Sequence, residues 1–159
     1  MLRIISIFFS LSHSERLLSV EAFIELARVR FLVRFGNFSK WQKQHLGTVH
    51  VLGDEEAMFL PADTSNEALV KDIGRAIERV ARHTPFTANC LPQACAAQIM
   101  LKRRNILDGQ VFVGGKIKDS DKSLGLHAWI FVGEKCVLGY DVESGLESFK
   151  PLLCYRLPN

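Results

Sequence analysis

Missing from the sequence are the paired ligands of a zinc site, since there is no C-x-x-C and no H-x-x-x-H. Structural zinc draws on such closely spaced thiolates and imidazoles. Cys90 and Cys95 are five residues apart, which on a 3.6-residue helix sets them about 140° from one another. No metal is expected. Nor is there a G-x-x-x-x-G-K-[ST] loop to cradle phosphates, so no cofactor is expected either.

Charge of one sign is also scarce. Twenty Lys and Arg against seventeen Asp and Glu leave a net charge of +3, spread along the chain, which argues against a nucleic-acid binder. The one tight cluster, Lys102-Arg103-Arg104, ends a helical pattern, where cations meet the negative end of the helix dipole; a phosphate or acidic-peptide site is the alternative. No apolar run approaches the ~20 residues of a membrane span. The start, MLRIISIFFSLSHSERLL, has only Arg3 ahead of a short apolar run and no small-x-small cleavage site after it, unlike a signal peptide. It reads as a buried strand or helix of the fold, with membrane-surface contact the alternative. Without an export signal, Cys90, Cys95, Cys136 and Cys154 are expected to be free thiols in a reducing cytoplasm. Internal repeats and low-complexity segments are absent too.

What is present suits one folded domain. The 159 residues are 48% hydrophobic and 23% charged, enough for a single core. From Ser14 to Phe35 the residues Leu18, Ala22, Leu26, Val29 and Val33 form a helical stripe, with Glu15, Glu25, Arg28 and Arg30 mostly off it. Gly36-Asn37 stops this helix, and FSKWQKQHLG makes a short helical turn. A short strand over Thr48 to Leu52 and a polar loop follow. Thr64 with Glu67 three residues on has the form of a capping box, opening a helix that buries Leu69, Ile73, Ala76, Ile77 and Val80. A third helix starts near Cys90 and ends near Arg104, with Pro92 in its first turn, where a missing N–H costs nothing.

After Asp108-Gly109 the pattern changes. QVFVGGKI, HAWIFVG and KCVLGYDV are rich in β-branched and aromatic residues, and Gly133-Glu134 joins the last two as a hairpin. Gly114-Gly115 reads as a bulge or turn, and FKPLLCYRL as an edge strand, since Pro151 suits an edge. Helices first and antiparallel strands afterwards make an α+β fold. The division expected within 1–159 is a helical front part over 1–63 and a core over 64–159.

Three residues stand out chemically. A cysteine at a helix start faces the positive end of the dipole and unsatisfied backbone N–H groups, which favour its thiolate and can hold an oxyanion. Cys90 has that position; a buried, inert thiol is the alternative, and it suits Cys95 better. His127 opens a strand, and fourteen residues later the returning strand offers Asp141, a carboxylate able to hold the imidazole in one tautomer. Nucleophile, base and orienting acid then make a triad. Trp129 shares the strand face of His127, as a pocket wall or as a core aromatic.

A Cys at a helix start, then His and Asp on successive antiparallel strands, resembles the transglutaminase-like, papain-related superfamily. More narrowly, CLPQACAAQIMLKRRNI followed by HAWIFVGEKCVLGYD is similar to the lasso-peptide leader peptidases, the transglutaminase-like cysteine proteases of lasso-peptide biosynthesis, of the microcin-processing type. LLSVEAFIELARVRFLVRFGNFSKWQKQHLG is similar to the helical front end of that family, so the resemblance runs from about Ser14 to Phe149. It implies removal of the leader from a ribosomally made precursor peptide, with Cys90 as nucleophile, His127 as general base and acid, and Asp141 as the orienting carboxylate. It implies as partners the precursor peptide, a separate leader-recognition protein, an asparagine-synthetase-like cyclase and an exporter. Acyl transfer to an amine, or a non-catalytic scaffold holding the precursor, are the competing readings. The chain departs from the family at Gly139, twelve residues after His127, where some relatives place their acid; Glu143, on the strand face of Asp141, is the alternative to it. A second oxyanion donor is open between Gln93 and Asn89, and Cys95, Cys136 and Cys154 have no catalytic task.

Overall fold

The computed structural model describes residues 8–52, 61, 64–117, 123–139 and 148–158. Helix α1 (His13–Phe35) is opened by a reciprocal cap: Glu15 N donates to Ser12 Oγ, and Ser12 N donates to the Glu15 carboxylate at 2.9 Å. The capping box therefore sits here. At the Thr64 position a 3-10 turn (Thr64–Asn66) intervenes, and α3 (Glu67–Ala81) begins only at Glu67, whose carboxylate lies 2.6 Å from Lys135 Nζ. Between them lie α2 (Phe38–His45) and β1 (Thr48–Val51).

The core stripe of α1 is Leu18, Ala22, Leu26 and Val29 as the periodicity requires, whereas Val33 near the helix end is 36% exposed. Glu25 departs from expectation: it is buried, at 1% exposure. The reason lies on α4 (Cys90–Lys102) and the residues after it. Arg103 donates to Glu21 and Glu25, and Arg104 reaches Glu21 at 2.7 Å. A buried carboxylate is tolerated when a guanidinium meets it in this way. Burial pushes Glu21 up, but the hydrogen bonds from Arg104 and Arg103 outweigh it and hold the carboxyl below its usual range. The basic cluster is thus an inter-helix clamp. Its cations are taken up within the fold, Lys102 by the Gln44 carbonyl.

Helix α4 is the centre of the molecule. Every residue from Ala94 to Leu101 is buried, the pattern of a helix covered on all sides. It packs against α1 and α3 and, on its other side, against β2 (Gly109–Ile117) and β3 (Leu124–Val132). The sheet is completed by β4 (Lys135–Leu138) and β5 (Lys150–Arg156), in the order β1-β5-β2-β3-β4, with every pairing antiparallel.

The last strand is not at the edge. β5 lies between β1 and β2, and its proline is accommodated by a local irregularity. Pro151 sits opposite Gly114 where the β2–β5 register shifts, and it precedes the residues of β5 that pair with β1. The shift at Val113/Gly114 is the expected bulge. Gly114 is needed there, because a Cβ would come within 2.5 Å of Trp129 Cη2 and 2.7 Å of the Lys150 carbonyl.

The two sheet faces bury different sets. Val111, Ala128, Ile130, Val132 and Tyr155 join the core under the helices. Phe112, Trp129 and Cys154 form a separate cluster on the reverse face, flanked by Leu52, Phe131 and Phe149. Among the described residues no helix is long and apolar enough to cross a membrane.

Candidate active site

Cys90 is the first residue of α4 and follows Asn89, which has extended backbone angles and makes no side-chain cap. The helix hydrogen bonding begins with Gln93 N donating to the Asn89 carbonyl at 3.2 Å. Amides of the first turn have no partner within a helix, so Cys90 stands beside the groups that can hold an oxyanion. The thiol is half-buried against the edge of the core. Of the two side chains considered as further oxyanion donors, Gln93 uses one of its two Nε2–H groups on the Ala88 carbonyl at 2.7 Å. Asn89 is exposed and beside the thiol in sequence.

The other three thiols have surroundings of a different kind. Burial pushes Cys95 far up, with a smaller contribution from the charge of Cys90. Cys136 is pushed up to about 11 by burial, and its Sγ faces the Leu138 carbonyl. Burial also raises Cys154, which is fully enclosed under the reverse face of the sheet. None is placed as a nucleophile needs to be.

His127 lies four residues into β3 and is paired across the sheet with Gly114. Its ring is half-buried and stacks on Trp129 at 6.0 Å between centroids, while Phe149 covers it at 5.0 Å. Trp129 in turn stacks on Phe112, so it is both a core aromatic and the floor under the imidazole. The Nε2–H donates to the Gly139 carbonyl oxygen at 2.6 Å. A carbonyl oxygen only accepts, so Nε2 is the protonated nitrogen and Nδ1 carries the lone pair of the neutral ring.

Gln98 Nε2 donates to the Gly109 carbonyl at 2.9 Å, tying the later part of α4 to the start of β2 and hence to Val132, its partner on β3. Cys90 and His127 both lie away from that tie, each on its own element. Side chains alternate along β3: Ala128 faces the helices, and His127 shares the reverse face with Trp129. Among the described residues no hydrogen bond joins Cys90 to His127. Asp141 and Glu143, the two expected orienting acids, lie outside the described residues. An apolar hollow of about 320 Å³ between α1 and α3 is lined by Val20, Phe23, Arg79 and Val80 among others, and involves neither Cys90 nor His127.

Sequence reasoning missed the Gly139 carbonyl as a partner of the imidazole. Its only trace in the sequence is the glycine itself, which here takes φ +88. Comparison with curated proteins and with solved structures gave no match. The sequence model of the transglutaminase-like superfamily matches residues 27–154, which takes in the C-terminal part of α1, all of α4 and the sheet through Cys154. With a helix-start cysteine and a strand histidine in an α+β frame, the chain belongs to the transglutaminase-like superfamily.

Proposed function

We propose that the protein is a cysteine peptidase that removes the leader from a ribosomally made lasso-peptide precursor. The observation that carries the chemistry is Cys90 as the first residue of the buried central helix. A thiolate there has the helix dipole and the free first-turn amides on its side. The superfamily fits a cysteine protease or an acyltransferase; the leader-peptide specificity rests on the two sequence blocks around Cys90 and His127.

The reaction balances as a thioester cycle. His127 takes the thiol proton through Nδ1, and the Cys90 sulfur adds to the carbonyl carbon at the leader–core junction. Backbone N–H groups at the start of α4 hold the resulting oxyanion. As the C–N bond breaks, the imidazolium returns its proton to the departing core amine. Water, deprotonated by the same ring, then adds to the thioester and expels the thiolate with the leader carboxylate formed. Asp141 is the carboxylate carried over from the family as a support for the imidazolium. Transfer of the thiol proton requires the thiol and the imidazole to come within hydrogen-bond reach of one another in the complex with the precursor. Catalytic hydrogen bonds commonly tighten in this way only in the substrate complex. The precursor is delivered by a separate leader-recognition protein, and the product passes to an asparagine-synthetase-like cyclase and an exporter.

The test is mass spectrometry of a lasso precursor incubated with the protein and the leader-recognition protein. Wild type is expected to separate leader from core, and Cys90→Ala to lose about 10³-fold or more of that rate. Equal cleavage by both would remove Cys90 from the mechanism. A leader joined to an added amine in place of free leader acid would make the protein an acyltransferase. Precursor retained but uncleaved by both would leave a scaffold.

A further inference from the structure

We infer that the Gly139 main-chain carbonyl, rather than a carboxylate, is the group that orients His127. The inference rests on the thioester reading above and names the positioning group it requires. Three observations meet at this point. The His127 Nε2–Gly139 O separation is 2.6 Å, short for a hydrogen bond between a ring N–H and a carbonyl. Gly139 holds φ +88, a conformation that L side chains rarely adopt, immediately after β4 ends at Leu138. A Cβ at this residue would lie 2.6 Å from the Ala128 carbonyl and 2.7 Å from Trp129 Cβ. The carbonyl is therefore aimed by a backbone that excludes a side chain here, and an acid at this position has no room in this arrangement.

The chemistry suits a proton shuttle. The carbonyl accepts from Nε2–H in the neutral ring and equally in the imidazolium, so this bond persists through the cycle. All proton traffic is confined to Nδ1. Trp129 beneath the ring and Phe149 over it limit its remaining freedom to tilt. Positioning and tautomer choice, the geometric half of what a triad carboxylate supplies, are thereby met by the main chain.

The test reads the tautomer directly, apart from activity. The full-length protein, labelled with ¹⁵N at histidine, is examined by long-range ¹H–¹⁵N correlation, with His127→Gln identifying the ring signals. Wild type and the double variant Asp141→Asn, Glu143→Gln are compared in the spectrum and in precursor cleavage. The expected result is an Nε2–H tautomer in both proteins, whatever the double variant retains of cleavage. An Nδ1–H tautomer in wild type would overturn the assignment, as would loss of the Nε2–H form in the double variant. A hundredfold loss of cleavage with the tautomer intact would leave orientation with the carbonyl and only the support of the imidazolium charge with a carboxylate. If wild type cleaves nothing while the Nε2–H form is present in both proteins, the peptidase reading fails and the carbonyl assignment stands.

Discussion

At the scale of single residues, Gly139 is under the tightest constraint around the imidazole. Replacing it with alanine forces a side chain into left-handed backbone and against the Ala128 carbonyl. Such a backbone position costs about 1–3 kcal/mol when a side chain is imposed on it. Gly139→Ala is therefore expected to lower the midpoint of urea unfolding by that amount of stability, and the denaturation curve checks it. An unchanged midpoint would mean that the turn after β4 relaxes freely. Cys90 and His127 were legible in the sequence because their chemistry is carried by side chains on recognisable elements. The carbonyl of Gly139 was not, since a main-chain acceptor has no residue type to announce it; only the glycine itself marked the spot.

Among elements, the contact between α1 and the end of α4 repays the closest attention. Glu25 is fully enclosed and bonded to Arg103, so Glu25→Ala removes a charged hydrogen bond and leaves a guanidinium with less to hold. A loss of about 1–3 kcal/mol is expected, measured by chemical denaturation. Glu21 adds a pH dependence whose sign follows from its lowered folded-state value. The unfolded carboxyl binds its proton first as acid is added, so the stabilisation is complete above the unfolded value of 4.5 and is lost as pH falls through the folded one. Glu21→Gln should flatten the fall in stability below that value; an identical acid limb in wild type and variant would refute this. Periodicity alone placed Glu25 off the core stripe, because a stripe of apolar residues cannot reveal that its charge will be met by an arginine 78 residues away. The strand order was equally hidden. β5 inserts between β1 and β2 through non-local pairing, and the bulge at Val113/Gly114 lets Pro151 sit away from an edge.

For the whole molecule, the order of helices and strands was readable because each element has its own hydrophobic period, and those periods set the α+β architecture. The unreadable part was which face each half of the site would use. His127 and Ala128 are neighbours in sequence yet belong to opposite sides of the sheet, and that division follows from where α4 packs. The same layering also sorts the thiols. With Cys95 and Cys154 sealed in the two cores and Cys136 pushed up to about 11, the thiolate fraction of Cys136 at neutral pH is on the order of one in 10⁴. Brief alkylation of the folded chain with iodoacetamide should therefore add one carbamidomethyl group, at Cys90, and four after denaturation, as intact-mass measurement would count. Rapid addition of two or more groups to the folded chain would contradict the burial described. The protein would thus carry its own stoichiometric tag, letting the concentration of competent sites be counted without a substrate.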